Sequence, residues 1–250
     1  MSAQSHPDDR SNYGAKPWTA MTEIAASQVE IPSPKKFDPI HNSAQMAELI
    51  SSVTQQPVAE VLERLRKEFL DPGVSVAKDF EARGIQRFVM SEQMMRFYSE
   101  SDGFLFELAI WNRNANKRFM CGRILDLIGN HFARPVDVLS IGDGMGFDCL
   151  EFSRAGHRVT YFELPGKTEA CARKIFAASD AKVRVLTDPA ELAVGSCDVL
   201  VCLDTLEHVP DPSEMVRQIA GYLRPGGLLF VHAIRRRGNR WFDKTGAPTG

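Results

Sequence analysis

The sequence has no Cys-x-x-Cys pair, no long apolar run and no excess of either charge, and each absence narrows what the chain can be. Its five cysteines (Cys121, Cys149, Cys171, Cys197, Cys202) are odd in number. Their spacing argues against a disulfide framework or a zinc site and fits a reducing compartment. No segment approaches the ~18 apolar residues of a membrane span, and the opening residues carry Asp8, Asp9, Glu23 and Glu30, unlike a signal peptide. The expectation is a cytoplasmic protein with no membrane partner. Thirty Lys and Arg against 32 Asp and Glu leave a net charge of −2, so no general positive field draws the protein to nucleic acid. Hydrophobic residues make up 44% of 250, with 18 Gly and 14 Pro, which excludes collagen-like, low-complexity and wholly disordered chains.

Composition divides the chain. Residues 1–42 hold five prolines (Pro7, Pro17, Pro32, Pro34, Pro39) and few aliphatic residues, a mixture that cannot offset its own ordering entropy and reads as a flexible arm. Residues 43–131 read as helical. Met46, Leu49, Ile50 and Val53, then Val58, Val61, Leu62, Leu65 and Phe69, recur at three- and four-residue spacing. Further helices are expected at 75–83, 91–99, 103–111 and 119–128, the last stopped by Gly129-Asn130. From residue 132 to 250 short apolar runs alternate with helical ones, which predicts a doubly wound α/β domain with a mostly parallel sheet. Its strands are expected at 136–141, 158–162, 183–186, 198–203 and 228–232.

Three glycines at alternate positions, Gly142, Gly144 and Gly146, follow the first of these strands and precede a helix. Glycine tolerates φ > 0 and lets a ligand approach the backbone; a tight strand-to-helix turn is the plainer alternative. Phe147 stands where a dinucleotide fingerprint needs its third glycine, and Gly146-Phe147-Asp148 lacks the lysine and hydroxyl of a Walker loop. The next three strands end in acids: Glu163 followed by Leu164, then Asp188, then Leu203-Asp204. Ligands of open α/β sheets bind at that carboxyl rim. For Asp188 a helix N-cap or a solvated loop charge is the competing reading.

Together these segments resemble the class I S-adenosylmethionine-dependent methyltransferases, in particular the small-molecule branch. The resemblance rests on Val-Leu-Ser-Ile-Gly-Asp-Gly-Met-Gly at 138–146, Leu-Glu-His-Val-Pro-Asp-Pro at 206–212 and Leu-Arg-Pro-Gly-Gly at 223–227, in that order. It implies S-adenosylmethionine as cofactor and a Rossmann-like fold. It also implies that Gly142, Gly144 and Gly146 line the methionine part of the cofactor and that Glu163 holds its ribose beside Leu164. Asp188 would bond the adenine amine, and Leu203-Asp204 would flank the cofactor. The family's usual acid before the glycine loop is Ser140 here, able to hydrogen-bond but without charge for the methionine ammonium. An acid stands instead inside the loop at Asp143.

Methyl transfer from a sulfonium needs an aligned nucleophile and excluded water, with no obligatory metal. If the acceptor is a hydroxyl or an amine, a base assists, and His208 is the candidate, ahead of His232; His157 falls at the opposite rim. The aromatic segment from Phe97 to Phe106, with Trp111 beyond it, reads either as a buried helical face or as helices covering the cleft, with Tyr98, Phe104 or Trp111 lining an acceptor pocket. The basic run from Arg235 to Arg240 reads as a solvated loop, with anion recognition as the alternative. Only 18 residues follow His232, so the expected C-terminal strands are abbreviated or lie outside this chain. The expected activity is methyl transfer to a small-molecule acceptor. A non-catalytic module that keeps the fold, or another reaction such as aminopropyl transfer, are the rivals.

Overall fold

The computed structural model describes residues 37–85 and 91–233; the basic run beyond Arg235 and the first 36 residues lie outside them. Among the described residues, six helices precede the sheet. The first, α1 (Ser43–Thr54), starts where Asn42 accepts hydrogen bonds from the amides of Ala44 and Gln45, satisfying two donors that a helix start leaves free. Then come α2 (Val58–Leu70), α3 (Val74–Arg83), α4 (Glu92–Glu100), α5 (Gly103–Trp111) and α6 (Ala115–His131). Residues 37–42, read from composition as part of the arm, lie on the body. Phe37 and Ile40 pack against the core, and Arg113 donates to the Pro39 carbonyl at 2.9 Å.

The second half alternates β1 (Asp137–Ile141), α7 (Phe147–Arg154), β2 (Arg158–Phe162), α8 (Lys167–Ala178), β3 (Val183–Leu186), β4 (Cys197–Leu203), α9 (Pro212–Ala220) and β5 (Leu223–His232). All pairings are parallel and the order is β3-β2-β1-β4-β5, the doubly wound sheet expected from the sequence. Side chains alternate across it. Val199, Val201 and Leu203 face a core shared with α1, α2, α5, α6, α7 and α8, while Leu200 and Cys202 face a second layer with Leu206 and Ile219. Burying both faces explains why β4 reads as a continuous apolar run.

Two elements differ from the sequence reading. Helix α6 continues through Gly129-Asn130 to His131 because Ile124 and Ile128 are buried in the main core, and packing overrides a weak local stop. Strand β5 begins five residues earlier than expected. Its ladder pairs Cys197 with Leu223 and then Val199 with Leu228, so the Arg-Pro-Gly-Gly segment bulges out within the strand instead of preceding it. At the amino-terminal rim, Asp137 accepts from Arg158 and Arg224 at 2.6 and 2.7 Å, and Arg224 also reaches Asp198 at 3.0 Å. This network joins four strand ends on the side away from the glycine loop.

Candidate active site

The chain leaves β1 in one direction and returns at β4 on the other side, so the crevice of an open sheet opens between these two carboxyl ends. A cleft of about 310 Å³ lies there. Its floor and walls come from Ile141, Gly142 and Gly144 after β1, Phe162 to Leu164 after β2, and Asp204, Thr205 and His208 after β4. Met95, Tyr98 and Ser99 of α4 and Phe104 and Leu108 of α5 cover it. Tyr98 and Phe104 therefore do line a pocket; Trp111 is not in its wall.

The glycine loop is held by its own chain. Gly142 and Gly144 adopt φ of +75° and +61°, a region L-residues rarely enter. A Cβ at Gly142 would lie 2.3 Å from the Thr205 hydroxyl, and one at Gly144 would lie 2.7 Å from Leu108. Tyr161 donates to the Gly144 carbonyl at 2.5 Å. Glu163 accepts from the Gly144 amide at 2.9 Å and, through its other oxygen, from the Leu164 amide at 3.0 Å. Burial raises the Glu163 pKa, and these two amides pull against that shift.

Beneath the loop lies a charged group that the sequence reading did not assign. Asp143 turns inward and accepts from the amides of Asp148 and Cys149 at 3.3 and 2.8 Å, capping the first turn of α7. Burial, then the neighbouring Asp148 charge, push its pKa up to about 7. Lys117 of α6 meets Asp148 at 2.6 Å with both side chains buried. A lysine inside the otherwise amphipathic α6 pattern, 31 residues from its partner, has no local signal.

Asp204 is the strained member of the site, with φ of +54°. One of its oxygens accepts from the Trp111 indole N–H at 2.9 Å, and the other sits 2.5 Å from His232 Nδ1. His208 ends a short 3-10 turn, Leu206–His208, where Thr205 donates to the Leu203 carbonyl at 3.1 Å. Desolvation in the cleft wall lowers the His208 pKa although its edge stays open to solvent, and the Asp204 charge opposes that shift.

Of the residues expected from the sequence, Gly142, Gly144, Glu163, Leu164, Asp204 and His208 share this cleft. Four do not line it. Ser140 is buried with its hydroxyl turned to the Cys149 thiol. Gly146 precedes α7 and packs on Phe176. Leu203 belongs to the main core. Asp188 accepts from the Ala190 amide and caps the short turn Pro189–Glu191, the competing reading for that residue. All five cysteines are free and buried. Among the described residues no His, Cys, Asp and Glu cluster could hold a metal ion, and no helix is long and apolar enough to cross a membrane.

Comparison with known proteins decides the family. A family model described as a methyltransferase domain matches residues 111–246, more than half of the chain. The chain belongs to this methyltransferase family. Among curated proteins, the chain is 32% identical over 122 residues to a ubiquinone biosynthesis O-methyltransferase of Sodalis glossinidius, covering 47% of this chain and 48% of the relative. A protein of the same description from Xanthomonas campestris is 35% identical over 117 residues, covering 45% and 49%. The match thus spans about half the length of these relatives. Among solved structures, a SAM-dependent methyltransferase from Methanosarcina mazei aligns with a TM-score of 0.39 at 24% identity, over 42% of this chain and 55% of the other.

Proposed function

We propose that this chain transfers a methyl group from S-adenosylmethionine to the hydroxyl oxygen of a small, uncharged acceptor by direct in-line displacement. The observation that carries the reading is one cleft at the β1/β4 crossover that joins the glycine loop and Glu163 with His208 and an apolar cover. The donor set fits the cofactor. Glu163 is a half-buried carboxylate whose two bonds come from backbone amides, and its remaining lone pairs suit the paired hydroxyls of a ribose. Gly142 and Gly144 expose backbone beside it, and Leu164 adds an apolar face at the same strand end. Bound there, S-adenosylmethionine supplies a methyl group on a cationic sulfonium, electrophile and leaving group in one.

The rest of the cleft serves the acceptor. Its described lining contains no Lys or Arg, while Met95, Phe104, Leu108, Val209 and Met215 contribute apolar surface. Such a wall desolvates a neutral acceptor and gives an anionic one no counter-charge. The name of the curated relatives, O-methyltransferase, favours oxygen as the accepting atom. His208 takes the hydroxyl proton as the new carbon–oxygen bond forms, and its lowered pKa keeps the ring neutral and able to do so at neutral pH.

Incubation with methyl-labelled S-adenosylmethionine and a panel of phenols, amines and carboxylates tests this directly. Label is expected in a methyl ether, with His208→Gln lowering kcat by about 100-fold, the low end of what a general base contributes, and leaving the KM of the methyl donor within about twofold. Absence of label from every acceptor with folded protein overturns methyl transfer. An active His208→Gln variant overturns the base assignment alone.

A further inference from the structure

The base candidate is held by a residue from the helical cover. Tyr98 Oη lies 3.0 Å from His208 Nδ1 across 110 residues of sequence, and the two rings meet edge to face at 5.5 Å. Tyr98 is fixed in turn. It stacks on Phe104 at 5.2 Å and meets Phe97 at 6.4 Å, within a small cluster that includes Met94 and Phe80.

What this contact does depends on which partner donates. If Tyr98 donates to Nδ1, the imidazole carries its proton on Nε2 and that nitrogen has no lone pair to offer. If Tyr98 accepts from Nδ1–H, Nε2 is free. Burial, then the charges of Glu107 and Glu207, push the Tyr98 pKa up to about 12, so the phenol keeps its hydrogen. A neutral phenol oxygen keeps a lone pair that can take the imidazole Nδ1–H at the 3.0 Å separation of the two groups. Asp204 is the further charged group that acts on His208.

We infer that Tyr98 is a positioning residue for the base: its oxygen accepts the Nδ1–H of His208 and so leaves Nε2 as the free acceptor in the cleft. The inference rests on the methyl-transfer reading given above. In the step it serves, the acceptor hydroxyl proton passes to Nε2 while the carbon–oxygen bond forms and the carbon–sulfur bond breaks. The resulting imidazolium donates Nδ1–H to Tyr98 and returns the Nε2 proton to solvent.

Nitrogen-15 spectra of the histidine rings in the full chain, with His208→Gln used to assign the signal, test this without turnover. The wild-type protein is expected to hold His208 as the Nδ1–H tautomer, and Tyr98→Phe, which keeps the stack on Phe104, to move it toward the Nε2–H form. The phenylalanine variant also removes an acceptor from the imidazolium, so the His208 pKa and the acid limb of the kcat profile both move to lower pH. kcat is expected to fall by about tenfold with the KM of the methyl donor unchanged, because the contact prepares the base and does not touch the donor. An Nε2–H tautomer in the wild type, or a tautomer and pKa that Tyr98→Phe leaves unmoved, overturns the inference even if methyl transfer is observed. Absence of transfer with the Nδ1–H tautomer present overturns the functional reading and leaves the positioning geometry standing.

Discussion

Asp143 holds a carboxylate under the glycine loop, where two helix amides favour its charge and burial opposes it. Its folded pKa of about 7 lies above the ordinary 3.8, so the folded state binds the extra proton in between. The sign follows from linkage: Asp143 contributes stability that is fully present below pH 3.8 and is lost as pH rises through about 7. Asn at this position imitates the protonated form and removes that dependence. The unfolding midpoint of Asp143→Asn, relative to wild type, is expected to shift upward between pH 5 and pH 8, as measured by thermal denaturation; a constant or falling difference contradicts this account. Single residues were the least legible feature of the sequence. Glu163 is legible as the acid that ends its strand and His208 from its place in the 206–212 motif beyond the fourth strand, whereas Lys117 and Trp111 find their partners, Asp148 and Asp204, only across the fold. Asp188 ends a strand as Glu163 does, but it is absent from the cleft lining and one of its oxygens accepts from the Ala190 amide.

Helices α4 and α5 meet the sheet domain at one corner. Gly166, the residue before α8, approaches Ser99 so closely that a Cβ would lie 2.8 Å from its Cα and carbonyl oxygen. Beside this contact, Asp102 accepts from Lys167 at 2.5 Å and from Gln56 at 2.7 Å, and Gln56 accepts from Arg64 at 2.9 Å. The corner thus ties α2, the start of α5 and α8 together next to the cleft. Gly166→Ala is expected to cost about 1–3 kcal/mol, as overpacking against backbone does. Faster hydrogen exchange in α4 and α5 should accompany it, with the strands unchanged. Alanine tolerated with native exchange in these helices would show that the corner is not a close contact. At this scale periodicity was a good guide, because helices with one buried stripe advertise it. It failed where tertiary contacts extended an element, at the end of α6, and where a bulge hid the start of β5 behind turn residues.

Across the whole molecule, alternating strands and helices identify a parallel sheet, and the sheet order puts the crossover between β1 and β4. That order places the glycine loop, the Glu163 strand end and the turn bearing His208 around one opening, although they are spread over more than sixty residues. The architecture was therefore legible from the alternation of strands and helices, and the glycine loop and Glu163 from the strand ends they follow, whereas the cofactor was implied by the resemblance of three motifs to a family. The cover of the cleft was not legible, because it is assembled from α4 and α5, whose aromatic residues read equally well as plain core. The central claim is that this cleft binds S-adenosylmethionine through Glu163, and the most direct measurement is calorimetric titration of the folded chain with S-adenosylhomocysteine. Micromolar binding by the wild type, weakened at least tenfold in Glu163→Ala, is the predicted result; no binding by folded wild-type protein, or equal binding by both, would contradict it.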